Sequence, residues 1–326
     1  MSTESEMMFS VVLPTYRVAQ FVERAIISLQ IQSFKAFEMI FVDDCGNDGS
    51  IDIVARYAER NPRIRIVTHE HNRGTYHARK TGVEHARGRY IIFLDPDDEL
   101  DEHCLSTLYE HLHGSPASVI FYGVTFTPPL QWYKSPTRSY PLRSKDRLLE
   151  SMFKKSIGGY TFTTLGTPGK AYDRKLLLSV YEELAIPDDF RYVYSEDSVV
   201  LLTSAMNNPG FRTIDYRGYI YHLNPSSITH KEQMSSRSRF ISEQLTYTVD
   251  ILREQIGRHH LTKAEYEFFR FYIHRHTKSE LSLFARFDSS GAHYFTSVAS
   301  AFFARPRLKH VAMMVFFVVT LGRKRL

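Results

Sequence analysis

Three carboxylates stand together where an apolar stretch ends: Tyr90-Ile-Ile-Phe-Leu94 runs straight into Asp95-Pro-Asp-Asp98. The run of β-formers predicts a buried parallel strand. Pro96, with no N–H and a fixed φ, ends it. Groups at the carboxyl end of such a strand face the crevice where open α/β sheets bind ligands. Asp95, Asp97 and Asp98 repel one another unless a cation or hydrogen-bond donors sit among them. A hard divalent ion that also holds a phosphate supplies that counter-charge; a solvated acidic turn capping the next helix uses the same residues equally well. A second pair, Glu196-Asp197, stands just before the apolar stretch Val199–Met206. By type and position it reads as a cap for the first N–H groups and the dipole of a helix. A third, Asp43-Asp44, closes the run Phe37–Val42 next to Gly46, Asn47, Asp48 and Gly49, which is turn composition.

The elements that must position these groups follow in chain order. Phe9–Leu13 is a short apolar strand ending at Pro14-Thr15-Tyr16. Ala19–Gln32 carries Phe21, Val22, Ala25, Ile26 and Leu29 at helical spacing. The strand Phe37–Val42 precedes a helix that Ser50 can cap, with Ile51, Val54 and Ala58 on its apolar face and Pro62 beyond it. A strand at Ile64–Val67, a polar loop His69–Gly74, a helix Thr75–His85 and the strand from Tyr90 complete a β-α-β-α-β-α-β order. That order predicts an α/β fold with a parallel, doubly wound, Rossmann-like sheet. Its strand ends, Pro14-Thr15-Tyr16, Asp43-Asp44, Asn72-Arg73-Gly74 and Asp95–Asp98, then share one edge and form a cleft. Asp101–His113 reads as a helix and Ser118–Phe126 as a strand. No Gly-x-Gly-x-x-Gly follows the first strand and no Walker lysine motif occurs, which argues against a dinucleotide dehydrogenase and a P-loop NTPase.

The chain has 326 residues with 43% hydrophobic and 24% charged content, enough for one large domain or two lobes. Lys+Arg 41 against Asp+Glu 36 gives a net charge of +5, too slight and too C-terminal to indicate nucleic acid. Cys45 and Cys104 have no metal or redox spacing, and a reducing cytosol is expected. Met1–Met8 is polar and acidic, unlike a signal peptide.

The motifs, taken in order, resemble family 2 glycosyltransferases of the GT-A fold, of the bacterial polysaccharide and lipooligosaccharide type. The resemblance rests on Ser10-Val-Val-Leu-Pro-Thr-Tyr16, Phe41-Val-Asp-Asp44, Asn47-Asp-Gly-Ser50, Asn72-Arg-Gly74 with Ala78-Arg79, and Gly88–Asp98. It implies transfer of a sugar from a nucleotide-sugar, with inversion, to a glycan or lipid-linked acceptor. It implies that Pro14, Thr15 and Tyr16 touch the nucleoside, that Asp44 binds the base (usually uracil), and that Arg79 lies near the nucleotide. Asp95 and Asp97 match the outer positions of the Asp-x-Asp motif, with Asp97 the first choice for Mn²⁺ or Mg²⁺ and Asp98 the adjacent alternative. The Glu-Asp pair commonly holds the catalytic base in the family. That role falls to Asp197, with Glu196 as the alternative base or an acceptor-orienting group. UDP-sugar is the expected donor. A non-catalytic module that binds nucleotide-sugar or glycan within an assembly is the competing reading.

The rest of the chain is less specific. Trp132, in a Pro- and aromatic-rich loop, reads as core cover or a sugar-stacking ring. Lys170, in Gly166-Thr-Pro-Gly-Lys, is a surface lysine or a cation facing a phosphate or anionic sugar. His222 and His230 read as structural histidines rather than metal contacts. The catalytic domain is expected over 1–235, as a nucleotide-sugar half 1–100 and an acceptor half 101–235. A helical region follows over 236–326, with helices at Phe240–Ile256 and Lys263–Phe284. Val311–Leu321 is too short to span a bilayer. Bracketed by Arg305, Arg307, Lys309 and by Arg323-Lys-Arg325, it suits the interface of an anionic membrane. The expected location is therefore cytoplasmic and peripheral to the inner face of the cytoplasmic membrane.

Overall fold

The computed structural model describes residues 7–113, 116–128, 155–156, 159–160, 165–207, 210–224, 238–273, 296, 298, 299 and 314. The chain forms two compact units, Met1–Asn224 and Pro225–Leu326.

In the first unit β1 (Phe9–Thr15), α1 (Val22–Gln30), β2 (Phe37–Asp43), α2 (Ser50–Ala58), β3 (Ile64–Thr68), α3 (Thr75–His85) and β4 (Tyr90–Phe93) alternate as the apolar pattern requires. β1 pairs in parallel with β2 and β4, and β2 with β3. The register sets Thr15 level with Asp43, and Asp43 level with Thr68, so their loops leave at one edge. Phe9, Val11, Val12, Phe37, Ile40, Phe41, Ile91 and Ile92 are all fully buried. Strands covered on both faces lose the polar alternation of a half-exposed sheet.

Among the described residues, five further strands and a helix lie between β4 and the next site element: β5 (Glu99–Leu100), α4 (Cys104–Leu112), β6 (Val119–Phe121), β7 (Val124–Thr127), β8 (Lys155–Ser156) and β9 (Gly159–Tyr160). β10 (Lys170–Asp173) leads into α5 (Arg174–Leu184), followed by α6 (Glu196–Met206), β11 (Phe211–Thr213) and β12 (Tyr219–His222). The large sheet runs β11-β6-β10-β4-β1-β2-β3. β10 enters it antiparallel to β4, with Ala171 opposite Ile92, so Lys170 and the turn before it lie at the cleft edge. The single strand expected over 118–126 divides instead. β6 stays in the large sheet, and β7 joins a small sheet ordered β5-β12-β7. At the break, the N–H groups of Tyr122 and Gly123 donate to the carbonyls of Gly169 (2.8 Å) and Tyr216 (2.5 Å). A continuous apolar run carries no mark of such a change of partner.

α3 carries the first decisive side chain. Tyr76, Arg79 and Val83 recur at helical spacing on its buried face. Gly82 lets that face approach closely, since a Cβ there would overlap the Val12 side chain.

The second unit contains α7 (Ser238–Arg258) and α8 (Lys263–Tyr272). Ile241, Leu245, Val249 and Leu252 form the buried stripe of α7. α8 begins with a capping box: Thr262 N–H donates to Glu265 Oε2 (2.7 Å), and Glu265 N–H to Thr262 Oγ1 (3.3 Å). Trp132, His230 and the part of the expected second helix beyond 273 lie outside the described residues. So does the 305–326 stretch, apart from Met314.

Candidate active site

The sheet edge brings the carboxylates together around one guanidinium. Arg79, 7% exposed, reaches Asp95 Oδ1 with Nη2 (2.9 Å) and Glu196 Oε1 with Nη1 (2.8 Å). The ion pair spans residues 16 and 117 positions away from Arg79. Burial opposes the charge on Arg79, but Asp95, Glu196 and Asp197 facing it raise its pKa above the ordinary arginine value. Removing one partner from a buried pair of this kind costs about 3–5 kcal/mol.

Glu196 and Asp197 open α6, which starts after Ser195 in the left-handed region at φ +68°. Ser195 makes no side-chain cap; Asp197 Oδ1 instead accepts the Ser198 N–H at 2.7 Å. Thus Asp197 caps the helix with one oxygen, and its Oδ2 lies beside Gly166, whose missing side chain leaves it uncovered. Burial and the neighbouring Asp197 charge raise the Glu196 pKa against the pull of Arg79. Burial also raises Asp197, against Arg79, the Ser198 N–H and Lys170.

Lys170 is 1% exposed rather than a surface lysine. Its Nζ donates to the Gly166 carbonyl and, at 3.2 Å, to that of Pro168, which ties the 166–170 turn to the sheet edge. Burial pushes its pKa down to about 7, with the charge of Asp197 opposing.

The Asp95–Asp98 residues separate by role. Asp98, 1% exposed, accepts the Tyr219 hydroxyl on Oδ2 and the His222 N–H on Oδ1, both at 2.7 Å. Burial, then Asp95 and Asp97, push its pKa up to about 8. Asp97 is partly exposed and accepts the Asn224 amide on Oδ2 at 3.0 Å. Burial and the Asp95 charge raise its pKa. Among the described residues no group of three or more metal-ligating side chains converges. A hard divalent ion that keeps its waters and a diphosphate needs only one or two carboxylates. Asp95 and Asp97 offer hard oxygen donors, and Asp97 stands in an excess of negative charge, so the residues fit such an ion. His222 Nε2 donates to Glu99 Oε1 (2.6 Å), as expected of a structural histidine.

On the other side of the edge, Asp44 is 3% exposed. Its Oδ1 receives the Arg73 N–H (2.8 Å) and faces His69 Nδ1 (2.9 Å), and its Oδ2 receives the Gly74 N–H (2.9 Å). An ionised carboxylate has about four acceptor sites, so one is left over. Asp44 therefore builds the Asn72-Arg73-Gly74 loop, a task that its turn-like surroundings do not reveal. Thr15 turns its hydroxyl back to the Leu13 carbonyl (2.9 Å), and its own carbonyl receives the Asp44 N–H (3.0 Å). Pro14 and Tyr16 are partly exposed, with the Arg17 guanidinium over the Tyr16 ring at 5.2 Å. His69 and Thr167 are the site neighbours that sequence reasoning did not single out. Lys170 carried a signal in its glycine-rich turn, and Asn224 in its place just after Tyr219–His222.

Residues 10–177, more than half of the chain, match Glycosyl transferase family 2. The chain belongs to that family. The uncharacterized glycosyltransferase EpsJ of Bacillus subtilis is 29% identical over 229 residues, 68% of this chain and 62% of that protein. The uncharacterized glycosyltransferase YibD of Escherichia coli is 37% identical over 103 residues, 32% of this chain and 28% of that protein. The chain thus spans less than two thirds of the length of these curated relatives. S. aureus TarS 1-349 in complex with UDP-GlcNAc superposes with a TM-score of 0.60 at 18% identity, covering 97% of this chain and 88% of that one. The mannosyltransferase PcManGT from Pyrobaculum calidifontis, with GDP-Man and Mn²⁺, gives 0.54 at 18% identity, covering 96% and 79%. The shared architecture is the GT-A fold.

Proposed function

We propose that this family 2 chain is an inverting glycosyltransferase that moves a sugar from a UDP-sugar to a glycan or lipid-linked saccharide acceptor, with Mn²⁺ or Mg²⁺. The observation that carries the reading is Arg79, which links Asp95 of the Asp-x-Asp segment to Glu196 of the Glu-Asp pair in one buried cluster. A degenerate binding module would have no need to hold both carboxylate groups in register. Relatives with this fold bind UDP-GlcNAc or GDP-Man, which supports a nucleotide-sugar donor, and one holds Mn²⁺.

In this reading Pro14, Thr15 and Tyr16 line the nucleoside, and Asp44 fixes the loop beside it with one acceptor site left for the base imide. Asp97 is the metal ligand, with Asp95 beside it, because Asp98 spends both oxygens on Tyr219 and His222. When bound, the ion neutralises the diphosphate and the charge on the leaving nucleotide. Asp197 is the base. The acceptor hydroxyl oxygen forms the new bond to the anomeric carbon, the bond from that carbon to the diphosphate breaks, and the hydroxyl proton passes to Asp197. Glu196, held by Arg79, orients rather than accepts the proton. Among the described residues no helix is long and apolar enough to cross a membrane. A cytoplasmic enzyme, peripheral to the inner face of the membrane through its 305–326 end, fits the cation-bracketed apolar run.

The test is turnover of a panel of UDP-sugars by the full chain with Mn²⁺. Release of UDP from at least one donor is expected, and Asp97→Ala should abolish it while circular dichroism stays unchanged. UDP binding with no turnover of any donor would favour the binding module, and full turnover by Asp97→Ala would remove the metal role.

A further inference from the structure

His69 has no part in the transfer step, yet it is buried and both of its ring nitrogens are held. Nδ1 lies 2.9 Å from Asp44 Oδ1, and Nε2 lies 2.9 Å from Thr81 Oγ1 on α3. The backbone is pinned as well. The His69 N–H donates to the Asp43 carbonyl (2.9 Å), and the Cys45 thiol donates to the His69 carbonyl (2.9 Å). A ring bonded on both sides cannot turn without breaking both contacts. Thr81, His69 and Asp44 thus form a buried chain that leads from α3 to the sheet edge.

At its end the chain decides which oxygen of Asp44 stays open. A carboxylate only accepts, with two sites on each oxygen, so His69 Nδ1–H is the donor. Oδ1 takes the Arg73 N–H at 2.8 Å and the His69 ring, which fills it. Among the described residues Oδ2 takes only the Gly74 N–H, at 2.9 Å. The open site is therefore on Oδ2. Without His69, Oδ1 would hold a second open site, and either oxygen could meet the base. An acceptor at one fixed place suits the N3–H of a uracil ring. Cytosine carries a lone pair at N3 and would meet Oδ2 lone pair to lone pair. We infer that His69 is a positioning residue. By filling Oδ1 it leaves Oδ2 as the single reader of an imide N–H, and Thr81 holds its ring in place. The inference rests on the reading of Asp44 as the base contact and names the residue that sets its geometry.

Isothermal titration of the full chain with UDP and with CDP, each with Mn²⁺, tests it. The parent should prefer UDP. His69→Phe keeps a ring and removes both nitrogens. It should weaken UDP at least about tenfold, the lower end for a hydrogen bond to a charged group, and leave CDP nearly unchanged. His69→Asn puts an amide N–H near the place of Nδ1 and should restore most of the preference. Thr81→Val frees the ring without touching Asp44 and should narrow the preference less. It also carries the test if circular dichroism shows His69→Phe unfolded; an unchanged preference in it would then overturn the role. Long-range ¹H–¹⁵N correlation on the unaltered chain should find the His69 ring hydrogen on Nδ1, and a hydrogen on Nε2 alone would overturn the role without any variant. If UDP binds the parent without preference over CDP, the role of His69 falls and the transferase reading stands. The same holds if His69→Phe keeps the preference, weakens both nucleotides equally, or is not rescued by His69→Asn. If UDP does not bind the parent, both fall.

Discussion

Arg79 decides how the individual residues of the site behave, because two carboxylates lean on it and a third, Asp197, does not. Asp197 is left with Oδ2 uncovered, which is what a base needs and what Glu196, 2.8 Å from the guanidinium, lacks. Asp197→Asn should therefore lower transfer by roughly 10²–10⁴-fold. Its UDP affinity by titration should match that of the parent, since the contacts proposed for the nucleoside fall to Pro14, Thr15, Tyr16 and Asp44. Loss of UDP affinity in that variant would move the pair to the donor site. Lys170 bears on the same group through charge. A base must be ionised, so the rate falls as pH falls through its pKa. Lys170 pulls the Asp197 pKa down. Lys170→Met removes that pull, so Asp197 keeps its proton to higher pH, and the acidic limb of kcat/KM should move upward. An unmoved limb would show that Asp197 does not carry the titration. The types and order of these residues were legible in the sequence, because Asp95 and Asp97 close one apolar run and the Glu-Asp pair opens another. Their partners were not. That Arg79 joins Asp95 to Glu196, or that Asp98 turns to Tyr219, depends on contacts across 117 and 121 positions, which leave no local trace.

At the level of elements, α3 is what brings Arg79 to the sheet edge, and its seat on β1 is set by one missing side chain. A Cβ at Gly82 would overlap Val12, and at Gly88 it would stand 2.5 Å from the backbone of Phe9 and Ser10. Overpacking of this kind costs about 1–3 kcal/mol. Gly82→Ala should lower the denaturant midpoint by a corresponding amount. It should also lower transfer beyond the loss of folded protein, because the helix must withdraw from Val12 and carry Arg79 with it. Unchanged turnover per folded molecule would mean that the helix gives way without shifting Arg79. The alternation that builds this layer was readable throughout the first hundred or so residues, where each apolar run is one strand or one helix face. It failed where tertiary partners intervene. The run over 118–126 serves two sheets, and β10 enters antiparallel although nothing in Lys170–Asp173 distinguishes it from a parallel strand.

For the whole molecule, the open question is what the active cleft is brought to. If the acceptor is lipid-linked, as proposed, the enzyme gains from being held at a surface. The chain supplies a means in Arg305, Arg307, Lys309, Arg323, Lys324 and Arg325, which bracket the apolar run Val311–Leu321. A cation near an anionic bilayer contributes about 1 kcal/mol, and the attraction is screened within a Debye length. The full chain should therefore sediment with vesicles containing phosphatidylglycerol, bind neutral phosphatidylcholine vesicles far less, and lose much of its binding in high salt. Replacing Arg323, Lys324 and Arg325 together by alanine removes about 3 kcal/mol of attraction, which predicts a fall in vesicle affinity of roughly 100-fold. UDP binding by the same variant should not change, since these residues have no part in the proposed donor site. Equal sedimentation by parent and variant would mean that the apolar run packs within the protein and that its flanking charges are simply solvated. The acceptor would then have to be brought to the cleft by other means.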